Sequence, residues 1–522
     1  MLARVRSGAL WGVDAVAVDV EVDMTLGLPY FNLVGLPDGA VKESKVRVIS
    51  ALKNAGFELP QKRITVNLAP ADIRKEGAAF ELPIALGVLA ASRLMPAQPL
   101  QRYLFAGELS LDGALKSIRG ALPLAVLAKK SGFQGLLVPR PNAAEAAVVE
   151  GIEVIPVGHL REAVEFLTGA GTIEPYRAEI TEDEVPTTDA IDMADVRGQA
   201  EIKDALELAA AGGHNVLMCG PPGSGKTMLA RRLPTILPRL SFEEALEVTQ
   251  IHSVLGLVGE GRSLLRDRPF RTPHHTISDA GLVGGGGTIR PGELSMAHHG
   301  VLFLDELPEF RKNVLEVLRQ PLEEGCIHLA RANQNVTYPC RVMLVAAMNP
   351  CPCGYFNVPG RRCTCKRQRI YDYHARVSGP LLDRIDITLQ TRPVEYCDLA
   401  AQDRSETSSA HYRQRVEAAR DRQRHRFART PEIHCNAQMP PRALQRHTKV
   451  TPEARSLLQR AVELHGLSAR AHDRIIKVAR TRADLEGHER TESQDMLLAI
   501  ECRMLDRKNW LEPVHCSDGP GG

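Results

Sequence analysis

Gly220-Pro-Pro-Gly-Ser-Gly-Lys-Thr227 decides how this chain is read. The apolar Val216-Leu-Met218 precedes it and Met228-Leu-Ala-Arg231 follows, so the spacing predicts strand, glycine-rich loop and helix N-terminus in that order. Glycines let backbone N–H groups curl around phosphate oxygens, and the helix dipole adds to the attraction. Gly220, Pro221, Pro222, Gly223, Ser224 and Gly225 are therefore expected to cradle phosphates, Lys226 to reach the β and γ phosphates, and Thr227 to ligate Mg²⁺. Downstream, Gly300-Val-Leu-Phe-Leu-Asp-Glu306 is an apolar run that ends in two acids. Asp305 is expected to hold the Mg²⁺ shell and Glu306 to polarise an attacking water. The next apolar run, Val342 to Met348, ends in Asn349, which either orients that water or is a turn residue before Pro350.

The rest of the chain is compatible with such a core. Its 522 residues suggest three or four domains, and 44% apolar with 25% charged residues is ordinary for a globular protein. A net charge of +2 means that any nucleic-acid contact must come from local patches, and 4% aromatics argue against base stacking as the main binding mode. The apolar stretches are too short for a transmembrane helix, and Asp14, Asp19, Glu21 and Asp23 interrupt the N-terminal run, which argues against a secretory signal and for a cytoplasmic protein.

Residues 1–170 alternate strand and helix signals: a period-two strand over 15–23, a helix over 41–55, a strand over 63–68 and an apolar helix over 80–91. An acid-rich stretch within 171–192 reads as a linker. Residues 193–395 form the second α/β region, 396–510 read as helical, and the Gly-rich 511–522 as a frayed tail. The expected fold class is thus α/β with a parallel sheet in the phosphate-loop domain, followed by a helical lid.

This order of parts resembles the AAA+ ATPases. Phe270-Arg-Thr-Pro-His-His275, Ile289 to Gly300, Leu318-Arg-Gln-Pro-Leu-Glu323, Ser378 to Asp386, Val34 to Ser44 and Ile64 to Asp72 narrow the resemblance to the magnesium-chelatase-like ComM/YifB family, over nearly the whole chain. The resemblance implies a hexameric ring. It matches Asn349 to a first sensor, Arg384 to an arginine finger acting on the neighbouring subunit's γ-phosphate, and Arg470 to a second sensor on the lid. Taken alone, Arg384 is equally well a surface ion pair with Asp383 or Asp386. The layout also resembles chelatase and MCM ATPases with insertions facing a ring channel. Gly281 to Gly287 reads as a mobile tip, Cys326–Ala330 and Val336–Cys340 as a hairpin, and Arg290, His298 and Arg331 as either DNA contacts or ordinary loop residues. Residues 411–449 carry ten Lys/Arg against three Asp/Glu, either a phosphate-binding surface or a solvated or intersubunit helix face.

Cys351-Pro-Cys353 and Cys363-Thr-Cys365 are two close pairs within the second α/β region, and four thiolates can close a tetrahedral Zn²⁺ site, with an iron–sulfur cluster or free thiols as the alternatives. The arginines and lysine around them suggest a small basic knuckle. The N-terminal domain resembles the Lon-protease-like fold, whose Ser–Lys dyad would fall near Ala79 and Leu122. Neither residue can act as nucleophile or base, so no proteolysis is expected.

The expectation is a DNA motor that uses ATP and Mg²⁺ with a structural zinc. It would act as a homo-hexamer on branched or single-stranded DNA, with recombinase machinery as a possible companion and no membrane. The family resemblance points to branch migration in natural transformation. A chelatase I-type motor or a chaperone-like remodelling ATPase is the alternative.

Overall fold

The computed structural model describes residues 2–178, 191–286, 289–331, 334–393, 407–430 and 432–503, with Arg331 and Gln334 placed by backbone alone. Most of the predicted linker, the 394–406 stretch between core and lid, and the predicted frayed tail lie outside these residues, as does the glycine-tip residue Gly287.

The N-terminal region starts with a long hairpin, β1 (Leu2–Trp11) and β2 (Asp14–Thr25), closed by a two-residue turn in which Gly12 takes a positive φ. β3 (Tyr30–Val34) pairs parallel with β4 (Arg63–Ala69), which pairs antiparallel with β2, giving the order β1-β2-β4-β3. Helix α1 (Gly39–Asn54) starts where the Asp38 carboxylate accepts from the Val41 amide. Helix α2 (Glu81–Ala91) is buried all round, as its apolar sequence after Glu81 demands, and packs on β1 and β2. Beside it lies a parallel three-stranded sheet of β5 (Tyr103–Phe105), β6 (Gly135–Pro139) and β7 (Glu153–Val157). Ala79 and Leu122, where the protease-like resemblance would put a serine and a lysine, pack into one apolar cluster.

The central domain is a five-stranded, all-parallel sheet. Its strands are β8 (Val216–Cys219), β9 (Phe270–Arg271), β10 (Val301–Leu304), β13 (Met343–Met348) and β14 (Ile387–Gln390), in the order β9-β10-β13-β8-β14. β10 and β13 are buried at every position, the pattern of a parallel strand covered on both faces. The antiparallel hairpin β11 (Cys326–Arg331) and β12 (Gln334–Pro339) precedes β13, where a hairpin was expected. The expected mobile tip is partly ordered. Asp279–Val283 is a short helix with Leu282 buried, and Gly284–Gly285 pairs with Arg290–Pro291. Gly284 is needed here because a Cβ would sit 2.5 Å from the Arg290 carbonyl oxygen.

The N-terminal hairpin tip docks on this insertion. A Cβ on Gly12 would lie 2.6 Å from the Val336 methyl of β12, while Trp11 and Val13 pack with the central core. Helix α3 (Ala121–Lys130) packs against α7 (Phe242–Leu255), with α4 (Leu160–Thr168) and α5 (Ala200–Gly212) between them in the chain.

The lid comprises α9 (Ser409–Phe427), α10 (Pro452–His465), α11 (Ala469–Glu486) and α12 (Ser493–Glu501). Ser408, Thr451 and Ser468 cap the first three, and Gly466 and Gly487 end α10 and α11 in the left-handed conformation. Four of the dense arginines of α9 are internal fasteners, while Arg424 stays at the surface with Asp421. Arg413 and Arg420 donate to the Thr235 and Ala210 carbonyls, Arg415 pairs with Glu207 and Glu486, and Arg426 pairs with Asp484. Polar-to-apolar counting could not separate these uses, because an arginine that joins two helices looks the same in sequence as one that meets solvent. Among the described residues no helix is long and apolar enough to cross a membrane.

Candidate active site

The phosphate loop leaves the C-terminal end of β8 and enters helix α6 (Lys226–Ile236) through Gly225, in the left-handed conformation. Gly220 is indispensable, because a Cβ there would meet the Thr391 hydroxyl at 2.0 Å. Ser224 Oγ bonds Thr391 Oγ1 at 2.8 Å, which fixes the loop to the end of β14. Gln199 also secures it, its amide donating to the Ser224 carbonyl at 2.9 Å and to the Arg392 carbonyl at 3.3 Å. Sequence reading missed Gln199, since a lone Gln before a helix carries no charge or spacing signature.

Lys226 folds back over this loop. Its ammonium donates to the Gly220 and Pro221 carbonyls at 2.8 and 2.9 Å and to Asn349 Oδ1 at 3.2 Å. Burial lowers its pKa from the ordinary lysine value. Lys226 and Asn349 thus meet although 123 positions apart, because β13 lies next to β8 in the sheet. On the far side of β13, Asp305 ends β10 and its Oδ2 accepts from the Thr227 hydroxyl at 2.7 Å. Asp305 Oδ1 accepts from the Glu306 amide. Glu306 has a positive φ and an exposed side chain, with His275 Nδ1 3.7 Å from its carboxylate. His275 is a second residue that sequence reading did not single out as part of the site. Gly220, Pro221, Pro222, Gly223, Ser224, Gly225, Lys226, Thr227, Asp305, Glu306 and Asn349 therefore assemble at one end of the parallel sheet.

Arg384 and Arg470 lie at the other end. β8 and β14 run parallel with Val216 opposite Ile387, so Arg384 precedes the strand whose far end meets the loop. Four strand residues separate the two ends, about 13 Å at ~3.3 Å per residue. The Arg384 guanidinium donates to the Arg319 and Pro380 carbonyls and pairs with Glu323 at 2.7 Å. Its expected alternatives, ion pairs with Asp383 or Asp386, are not formed: Arg474 takes Asp386, and Asp383 lies 3.9 Å from Arg470. Asp386 stays ionised. Burial would raise its pKa, but Arg474, His214 and the Asn215 amide hold it well below the usual carboxylate range.

The insertion's DNA candidates separate on geometry. Arg290 is exposed. His298 is buried, its Nδ1 accepting from the Arg341 amide and its Nε2 facing Glu247. Burial pushes its imidazole down to about 4, so it is neutral and enclosed and no phosphate contact is open to it. The side chain of Arg331 lies outside the described residues.

The four cysteines converge directly after Asn349. Their sulfurs all lie within 4.8 Å of one another, with Cys351–Cys353, Cys353–Cys363 and Cys351–Cys363 at 3.3, 3.6 and 3.8 Å. A tetrahedral ion with Zn–S bonds of about 2.3 Å needs sulfurs about 3.8 Å apart, whereas a disulfide needs about 2.05 Å. The set therefore fits a thiolate metal centre. Burial disfavours the thiolates, yet the Thr364 and Tyr355 amides bring Cys353 below the ordinary thiol value, while burial raises Cys363 and Cys365.

The family descriptions "Magnesium chelatase, subunit ChlI", "Subunit ChlI of Mg-chelatase" and "Magnesium chelatase, subunit ChlI C-terminal" match residues 192–399, 20–142 and 406–503. YifB of Escherichia coli and competence protein ComM of Haemophilus influenzae are each 43% identical over 512 residues, 97% of this chain and 98% of theirs. Lon protease 2 of Bacillus subtilis is 29% identical over 147 residues, 28% of this chain and 26% of its own. The fold and site define a magnesium-chelatase-like AAA+ protein with partial Lon-type homology. Within that class the chain belongs to the ComM/YifB family, and membership implies a nucleotide and Mg²⁺ as its cofactors.

Proposed function

We propose that the chain is a ring-forming, hexameric ATPase that moves on DNA and drives branch migration of recombination intermediates in the cytoplasm. The name of the Haemophilus relative suggests natural transformation as the setting. The observation that carries the ATPase reading is the convergence of Lys226, Thr227, Asp305, Glu306 and Asn349 at one sheet end, with Arg384 displaced to the other. Thr227 and Asp305 offer the hard oxygen donors that suit Mg²⁺, which when bound neutralises charge on the phosphates.

Hydrolysis follows from these residues. Lys226 exchanges its loop carbonyls for phosphate oxygens. Glu306 accepts the proton of a water that Asn349 orients. Arg384, with Arg470 beside it, stabilises charge on the γ-phosphoryl group of the adjacent subunit, a contribution of about 10³–10⁵ in rate. Cys351, Cys353, Cys363 and Cys365 hold a structural zinc.

DNA contact is assigned to the insertion, on which Arg290 is an exposed cation. A second reading, a remodelling ATPase of the chelatase type, is favoured by the family descriptions themselves. ATP hydrolysis measured with and without a four-way DNA junction separates the two. Stimulation that Lys226→Ala abolishes, followed by ATP-dependent junction migration, supports the motor. A rate indifferent to DNA but raised by a protein substrate overturns it.

A further inference from the structure

The cysteine knuckle is built onto the phosphate loop. Gly354, inside the first cysteine turn, has φ +86, and a Cβ there would lie 2.5 Å from Pro222 Cδ and 2.7 Å from its Cγ. Backbone of the knuckle thus presses directly on the loop's second proline. At its base, Cys351 is fully buried and follows Asn349 by two residues. The Pro350 carbonyl between them bonds His374 Nε2 at 2.9 Å. His374 belongs to helix α8 (Arg367–Ala375), which starts two residues after Cys365. The Gly220 amide donates to the Met348 carbonyl, so the loop and the root of the knuckle also share a backbone bond.

This segment cannot hold itself. The stretch between the cysteine pairs is rich in Gly and Pro, and Arg361, Arg362, Lys366, Arg367 and Arg369 repel one another across it. Closing a loop of this kind without an apolar core requires a cross-link. The ion that supplies it would immobilise Gly354 and Asn349 together, because both are within three residues of a ligand.

Resting on the zinc reading above, we propose that the four-thiolate centre is a working part of the nucleotide site: metal binding holds Gly354 against Pro222 and Asn349 beside Lys226, so affinity for ATP depends on zinc occupancy. The partner of the site is a soft divalent cation of the zinc class. Its role differs from that of Mg²⁺, which meets oxygen donors at Thr227 and Asp305.

The test measures two quantities on the full chain: zinc by plasma mass spectrometry, and binding of the fluorescent analogue mant-ATP. About one zinc per chain is expected. Cys365→Ser, at a half-buried ligand, lowers zinc content and raises the mant-ATP Kd about tenfold or more, as loss of positioning does. Gly354→Ala retains zinc and weakens mant-ATP binding, since the new methyl displaces Pro222. Lys226→Ala weakens mant-ATP binding and retains zinc. A chain that neither carries nor takes up zinc overturns the metal reading itself. Zinc loss in Cys365→Ser with wild-type mant-ATP affinity overturns the coupling and leaves the metal reading standing. If circular dichroism shows Cys365→Ser to be unfolded, Gly354→Ala decides: zinc retained with unchanged mant-ATP affinity overturns the coupling.

Discussion

Arg384 and Glu323 meet at 2.7 Å, the guanidinium almost enclosed and the carboxylate half exposed. Glu323 and two backbone carbonyls hold the arginine at the sheet end remote from Lys226. If Arg384 completes a neighbour's site, Arg384→Ala and Lys226→Ala each abolish ATP hydrolysis, but mixing the two variants restores part of it. In a random mixed ring about a quarter of the interfaces pair an intact loop with an intact arginine. A mixture as inactive as its components refutes action between subunits.

Glu306→Gln should separate binding from hydrolysis. The amide keeps the shape of the side chain beside His275 but cannot take a proton from water. Turnover is expected to fall about 10²–10⁴-fold while mant-ATP affinity stays within a few-fold of wild type. Asp305→Asn should instead raise the Mg²⁺ concentration needed for half-maximal rate, because it weakens the carboxylate opposite Thr227.

Asp484 is the fastener at the heart of the lid. It is fully buried and accepts from Arg426, Arg480 and Asn436. Asp484→Ala leaves two guanidiniums without their carboxylate and is expected to destabilise the fold by about 3–5 kcal/mol, read as a fall in urea midpoint. Arg424→Ala, whose partner Asp421 is exposed, should change stability by less than about 1 kcal/mol.

Glu207 makes the lid–core contact sensitive to pH. Burial raises its carboxyl to about 7, only partly offset by Arg415 at 3.3 Å. Between pH 4.5 and 7 the unfolded chain has lost this proton and the folded chain keeps it, so stability falls as pH rises. The contribution is about 3 kcal/mol. Glu207→Gln should flatten that part of the curve, with the variant gaining on wild type at pH 8 and matching it near pH 4. Parallel curves would remove Glu207 as the cause.

The phosphate loop, the Asp305–Glu306 strand end, Asn349 and the cysteine pairs were legible because each is a local pattern with its chemistry in adjacent residues. The hairpin before Met343 was legible only through the resemblance to chelatase and MCM layouts, onto which Cys326–Ala330 and Val336–Cys340 fit. Gln199 and His275 were not, since their roles exist only once distant segments meet. The arginines of Ser409–Phe427 show the limit from the other side: composition marked them as charged, but only their partners show that Arg413, Arg415, Arg420 and Arg426 are fasteners while Arg424 faces solvent. His298 sits in a loop-like Gly-flanked stretch, yet the sheet end encloses it.

The parallel sheet has a further consequence. Under the proposed mechanism each chain is half of two enzymes, with a socket at the Lys226 end and a plug at the Arg384 end. Catalytic units are then counted by contacts between chains: none in a lone chain, one fewer than its members in an open arc, and as many as its members in a closed ring. Specific activity would become a gauge of assembly, and the closing of the last gap would be worth one whole active site.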